Sequence, residues 1–225
     1  MGARMATMTV KTPSGKAWEL TDVNRKLSLR AGLPGARVFD LSADSLRVAK
    51  AKGLSDEARL PLALPGSWLV NSPAVSTVFR RWALSPQKEL MLDVLGLFDP
   101  PSLGPLEPEV SRALGALVGA LGKEPTLIEA ASKVLALLVP HAIPLMPPLA
   151  VGFVLGPGLP LDAAAFVAMT NWFGEAVAEH WDGLSEHAAA HTEVPLDAAQ
   201  VLDRLLWFDS DGFKHFPKPS APSTG

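Results

Sequence analysis

The sequence contains no cysteine and no tyrosine, and each absence excludes a class of chemistry. None of its 225 residues is Cys or Tyr, so disulfide bonds, thiolate nucleophiles, cysteine-based zinc sites and phenolic acid catalysts are all excluded. A cysteine-free chain fits a reducing compartment, and we therefore expect a cytoplasmic location.

The chain also lacks a large excess of either positive or negative charge. The chain has 20 Lys and Arg against 23 Asp and Glu, a net charge of −3. This balance excludes a strongly basic nucleic-acid module and an acidic disordered chain.

The sequence has no hydrophobic run that predicts a targeting signal or a membrane span. Its first 16 residues contain no continuous apolar segment, which a secretory signal requires. Residues 134–161 are 28 positions without a formal charge, which is long enough to span a bilayer. Six prolines interrupt that stretch, and the carbonyl groups they free would have no partner in lipid. The stretch therefore predicts a buried core, and we expect no membrane association.

From residue 72 onward, apolar residues recur three and four positions apart, which is typical of amphipathic helices. Start and stop signals bound each segment; Asp162, for example, can cap a long helix. The predicted helices are 72–82, 86–98, 108–121, 125–139, 160–181, 185–191 and 195–208. The only strand signals are short runs at 8–10, 37–41 and 68–70. The prediction is a mainly α protein, a compact orthogonal helical bundle with at most a small edge β element near the N-terminus.

The pattern favours one globular helical domain over residues 17–216, after a flexible segment at 1–16 and before a disordered tail at 217–225. A sub-boundary is predicted near 99–107, where prolines and a glycine cluster. Residues 1–100 carry a net charge of +5 and residues 101–225 a net charge of −8, so the chain has a basic front and an acidic back.

Three histidines near the C-terminal end offer one candidate metal site. His187 and His191 are four residues apart, so on a helix both rings project from one face. His180 would add a nitrogen ligand and Glu179 or Glu186 an oxygen ligand, a set that suits zinc, iron or manganese. Such a site would activate water for hydrolysis. The alternative is an exposed pair of histidines on an alanine-rich helix.

The basic front offers a candidate nucleic-acid surface. Ten basic residues precede position 53, against four acidic ones. Arg25, Lys26 and Arg30 lie in this segment and can attract phosphate groups, while Trp18 can stack on a base. Two alternatives explain the charge as well: a solvated surface, or docking onto the acidic back of the same chain.

The segment AASKVLALLVPHAIPLM, residues 130–146, resembles a stretch of uncharacterised bacterial helical proteins, and more distantly the helix-hairpin-helix DNA glycosylases. Ser132, Lys133, Pro140 and Pro144 carry the resemblance. It implies a bacterial helical protein in which Lys133 contacts nucleic acid, without glycosylase chemistry, because Pro147 stands where those enzymes have an aspartate. The alternative for Lys133 is an ion pair with Glu129, four residues earlier.

Together these patterns predict a non-catalytic binding or scaffold protein that contacts nucleic acid. One alternative is a metal-dependent hydrolase that uses His187 and His191. Another is a helical protein–protein interaction module or homo-oligomer, because six Trp, nine Phe and a mean hydropathy of +0.22 can exceed what one core buries.

Overall fold

The computed structural model describes residues 8–68, 72–83, 86–99, 104–191 and 195–210. These residues form two strands and eleven helices. In chain order they are β1 (Met8–Lys11), β2 (Ala17–Leu20), α1 (Val23–Ala31), α2 (Pro34–Ala51), α3 (Asp56–Trp68), α4 (Ser72–Trp82), α5 (Gln87–Leu97), α6 (Pro108–Gly119), α7 (Pro125–Leu138), α8 (Pro148–Leu155), α9 (Ala163–Glu179), α10 (Trp181–Ala190) and α11 (Ala198–Ser210). This confirms the predicted helical bundle with a small β element near the N-terminus.

The β element is an antiparallel hairpin of β1 and β2, in which Val10 lies opposite Trp18. Both side chains are buried, and the turn between the strands uses Gly15 at a φ of 83°, a conformation that glycine adopts without strain. Residues 8–16, assigned from the sequence to a flexible N-terminus, thus form β1 and this turn. The strand signal at 37–41 is wrong, because those residues lie inside α2. At 68–70, Trp68 ends α3, and positions 69 and 70 lie outside the described residues.

Helices α1, α2 and α3 were not predicted, and each of them buries a charged side chain, which in α3 is Arg59. The buried face of α1 includes Lys26 and Arg30, and the buried face of α2 includes Asp40 beside Phe39. A search for apolar periodicity misses such helices, because charged residues occupy positions where it requires apolar ones.

Most helices predicted after residue 72 are confirmed, with changes at their ends. The side chain of Asp162 accepts a hydrogen bond from the Ala165 amide (2.8 Å) and caps α9 as predicted. Helix α7 instead begins at Pro125 after Glu124, which makes no side-chain cap, so the Thr126–Glu129 capping pair is not used. Helix α8 was not predicted, because its flanking prolines obscured the short helix.

Helix α7 lies at the centre of the molecule. Every residue from Leu127 to Leu138 except Glu129 is buried, which is the pattern of a helix that neighbours surround on all sides. Its neighbours are α2, α3 and α4. The uncharged stretch at 134–161 is thus divided between this core helix, an irregular segment and α8, as the prolines predicted. Across the described residues, no helix has both the length and the apolar content to cross a membrane.

The segment before α6 is fixed to α9. The Leu106 amide donates a hydrogen bond to the Asn171 side chain (2.8 Å). The Gly104 carbonyl oxygen lies only 2.2 Å from where a Cβ on Gly174 would stand. Gly104 and Leu106, which lie within the predicted boundary region 99–107, therefore pack directly on α9.

We predict that Gly174→Ala lowers the free energy of unfolding by about 1–3 kcal/mol, the usual cost of overpacking. The matched control is Gly115→Ala on α6, where the new Cβ would lie 3.6 Å from Val167 Cγ2. That variant should be as stable as the wild type or up to about 1 kcal/mol more stable, because alanine favours helix. Chemical denaturation measures both; equal effects would contradict the close approach of Gly104 to α9.

Candidate functional site

Three of the four basic residues proposed for nucleic-acid contact form ion pairs inside the protein. Lys26 pairs with Asp209 at 2.7 Å, Arg30 with Asp40, and Lys133 with Glu129 at 2.8 Å. All three are less than 9% exposed, so they cannot reach a phosphate backbone without breaking these pairs. Only Arg25 is exposed. The structure therefore does not bring these four residues together as one exposed surface, and nucleic-acid contact stays a prediction. Of the three pairs, only Lys26–Asp209 joins the basic front to the acidic back of the chain.

The buried pairs continue into a network of four charges that joins α1, α2 and α11. Arg204 NH2 lies 2.6 Å from Asp40 Oδ1, and Arg204 NH1 also pairs with Asp203. The remaining Asp203 oxygen accepts a hydrogen bond from the Leu145 amide (2.7 Å). The network, Arg30–Asp40–Arg204–Asp203, has two charges of each sign. It is therefore neutral as a whole, the condition under which charges can be buried.

Aromatic rings complete the surroundings of the two arginines. The Arg30 guanidinium lies 5.4 Å from the centre of the Trp207 ring, and that of Arg204 lies 5.5 Å from the Phe39 ring. The Nε atoms of both arginines have no hydrogen-bond partner among the described residues. Each missing hydrogen bond costs free energy, and the contact of the guanidinium groups with aromatic rings offsets part of that cost.

Burial acts on the pKa values of three of the four groups in the network. Burial lowers the pKa of Arg30 to about 10, which still leaves it protonated. Burial also lowers the pKa of Arg204, but the carboxylates of Asp40 and Asp203 outweigh it and raise the pKa overall. Burial raises the pKa of Asp203, and the two arginines oppose the change. The cluster is a structural clamp that joins α1, α2 and α11.

The residues that carry the glycosylase resemblance lie in the core. Ser132 Oγ donates to the Glu129 carbonyl (2.7 Å) and accepts from the Met146 amide (3.0 Å). Pro140 and Pro144 are buried in the segment that follows α7. Their positions give these residues a packing role, and the resemblance itself stays a prediction.

The histidines proposed as metal ligands are not brought into a ligand set. His187 Nδ1 is hydrogen-bonded to Asn24 Oδ1 (2.9 Å), His180 lies at the junction of α9 and α10, and Glu179 is exposed. His191 follows the end of α10. Within the described ranges, no group of three or more His, Asp or Glu side chains is arranged to hold a metal ion. His187 instead fixes α10 to α1.

A cleft between the front and back of the chain is the strongest candidate for a functional site. Its volume is about 550 Å³, a size that suits a small organic ligand. On one side its lining comes from α2, α3 and Asp99, which lies two residues after α5. On the other side it comes from the end of α7 with the segment that follows it, and from the starts of α10 and α11. We call it the His141 cleft.

The His141 cleft contains cations that are already paired. Lys50 Nζ lies 3.0 Å from Asp99 and 3.6 Å from Asp56. Arg59 is fully buried and donates hydrogen bonds to Asp56 (2.6 Å) and to the Leu138 carbonyl (2.5 Å). Burial lowers the pKa of Arg59, and the carboxylates of Asp56 and Asp99 oppose the change. These groups fix α2 and α3 to the end of α7.

The unpaired polar groups of the cleft are hydrogen-bond acceptors. His141 Nε2 lies 3.2 Å from the Phe98 carbonyl oxygen. A carbonyl only accepts hydrogen bonds, so Nε2 carries the proton and Nδ1 is an unprotonated acceptor. Burial lowers the pKa of His141, which keeps the ring neutral at pH 7.

Asp197 supplies a carboxylate to the same cleft. One of its oxygens accepts a hydrogen bond from the Gln200 amide (2.8 Å) at the start of α11. In the described part of the chain, no Lys or Arg lies within ion-pair distance of Asp197. Its other oxygen is therefore available to a ligand.

Trp181 adds an apolar wall. This first residue of α10 is 40% exposed, which is unusual for so large an apolar side chain. It lines the His141 cleft and also a second cavity of about 420 Å³. Leu138, Pro140 and Ala199 line the cleft beside it.

Sequence reasoning missed this site, because its residues come from six separate places in the chain. The one local signal was His141 itself, a polar residue in an otherwise apolar stretch, where a polar side chain requires a partner. No family model, curated protein or solved structure matches this chain. The geometry of the cleft therefore carries the functional argument alone.

We predict that Asp40→Asn lowers the free energy of unfolding by about 3–5 kcal/mol, because it leaves two buried arginines facing one carboxylate. The control on the same helix is Asp44→Asn, whose partner Arg47 has a side chain 54% exposed. That change should cost less than about 1 kcal/mol. Urea denaturation distinguishes them; a similar small loss for both would contradict the clamp.

We also predict that the ring of His141 titrates below its ordinary pKa of 6.5, as measured by NMR, with the resonance assigned through His141→Gln. The unfolded chain then takes up this proton at a higher pH than the folded one. The stability that neutral His141 contributes is therefore complete above pH 6.5 and lost as the pH falls below it. A midpoint at or above 6.5 would contradict the burial of this ring.

Proposed function

We propose that this protein is a non-catalytic binding protein and that the His141 cleft is its ligand site. One observation carries the proposal: a cavity of about 550 Å³ combines an exposed tryptophan, a neutral histidine and an unpaired carboxylate on a rigid frame. Ligand sites in proteins have this composition, mostly apolar walls with a few polar groups that orient the ligand.

Rigidity supports the proposal, because a site that is already formed loses less free energy on binding. The ion pairs of Lys50 and Arg59 hold three of the contributing segments together. The described lining contains no Ser, Thr or Cys, so it offers a ligand contacts rather than a side-chain hydroxyl or thiol nucleophile.

The proposal predicts that small molecules found by thermal-shift screening lose their effect when the cleft is filled. Ala51 lies at the end of α2, is exposed and lines the cleft, so Ala51→Trp would occupy the cavity without disturbing the core. The matched control is Ala58→Trp on α3, which is also exposed but does not line the cleft.

Binding measured by calorimetry should persist in Ala58→Trp and be lost in Ala51→Trp. A ligand that binds both variants equally would show that its site lies elsewhere. Failure of a chemically diverse panel to bind the wild type at all would overturn the proposed function.

A further inference from the structure

We propose that the His141 cleft selects an organic ammonium ion with an apolar body, with the ammonium group at Asp197 and His141 and the apolar body against Trp181. This inference rests on the proposed function and names the class of ligand.

The pairing of charges at the cleft favours a cation. Its three basic residues, Arg47, Lys50 and Arg59, are all paired with carboxylates. Of the two carboxylates in the lining, Asp99 pairs with Lys50, whereas Asp197 has no Lys or Arg within ion-pair distance among the described residues, and the charge of Arg204 acts on it only from farther away. A bound ammonium ion would supply a cation beside Asp197.

The hydrogen-bonding groups of the cleft also favour a cation. Asp197 has one oxygen free after capping α11, and His141 Nδ1 is an acceptor because Nε2 donates to Phe98. Asp197 and His141 line the same cleft. Two neighbouring acceptors suit a group with several N–H donors, which a primary ammonium has and a carboxylate lacks.

Lys50 and Arg59 do not supply an equivalent site for an anion, and Arg47 is paired with Asp44. Arg59 is fully buried and two of its nitrogens are already bonded to protein oxygens. Its remaining Nε is also buried, so a ligand cannot reach it. Lys50 would have to leave Asp99 and Asp56 to bind an anion, which would cost the ion pairs that hold α2 in place.

Trp181 also favours a cation that carries an apolar group. Its ring is the largest exposed apolar surface in the lining, and the face of an indole attracts cations as well as apolar groups. An amine attached to an aromatic or branched aliphatic group would satisfy the carboxylate, the imidazole and the tryptophan together.

The test compares three probes that share one phenyl group and differ in the head group: 2-phenylethylamine, 2-phenylethanol and 3-phenylpropanoate. Calorimetry or ligand-observed NMR on the full chain at pH 7.5 measures their affinities. We expect the amine to bind most tightly and the carboxylate least. Equal or tighter binding of 3-phenylpropanoate, or no binding of the amine, would overturn the inference.

Asp197→Asn tests the role of the carboxylate, because asparagine keeps an oxygen that can accept from the Gln200 amide and so preserves the start of α11. It should weaken binding of 2-phenylethylamine about tenfold to a hundredfold, the size of a hydrogen bond to a charged group, and leave 2-phenylethanol unchanged. The control is Asp93→Asn, an exposed carboxylate on α5 that does not line the cleft. An unchanged affinity in Asp197→Asn would contradict the inference.

The two proposals fail in different ways. If the amine does not bind but another compound does, and Ala51→Trp abolishes that binding, the ligand class is wrong and the cleft remains a ligand site. If no compound depends on the cleft, both proposals fail.

Discussion

The buried pairing of Arg30 and Arg204 with Asp40 and Asp203 is the constraint that joins the basic front of this chain to its acidic back. Charges attract each other more strongly where water is excluded, and each also loses its hydration there. The network is favourable only while all four members are present, so α1, α2 and α11 have to assemble together. Lys26 and Trp18, which both donate to Asp209 (2.8 Å each), extend the same junction to the hairpin.

The His141 cleft is a consequence of this junction. Its walls come from α2 and α3 on one side and from α10, α11 and the end of α7 on the other. Because the network fixes α2 against α11, and Arg59 fixes α3 to the Leu138 carbonyl, the opposing walls have little freedom to close or separate.

The sequence predicted most of the helices whose buried faces are apolar, and it failed where charged residues or prolines interrupt that pattern. Every described helix after residue 72 was identified except α8, which prolines flank. Helices α1 and α2 were missed because Lys26, Arg30 and Asp40 occupy buried positions. The sequence shows that Arg30 is positively charged, but its partner Asp40 and the second partner of Asp40, Arg204, are 10 and 174 positions away. The candidate site was beyond prediction for the same reason, since Lys50, His141 and Asp197 become neighbours only in the folded chain.

The clamp and the cleft both contain basic residues and aspartates. Whether a ligand can reach these side chains decides if they stabilise the fold or bind a ligand. In the clamp, the charged groups are buried and aromatic rings lie against the arginines, so a ligand would have to displace part of the core. In the cleft, Lys50 and Asp99 remain partly exposed, Trp181 is 40% exposed, and Asp197 has no Lys or Arg within ion-pair distance in the described part of the chain. A buried charge with all its partners stabilises a fold, whereas a carboxylate that the fold leaves without a cation is a place where binding lowers the free energy. By this criterion a ligand gains the most binding free energy at Asp197, rather than at any of the basic residues of the front.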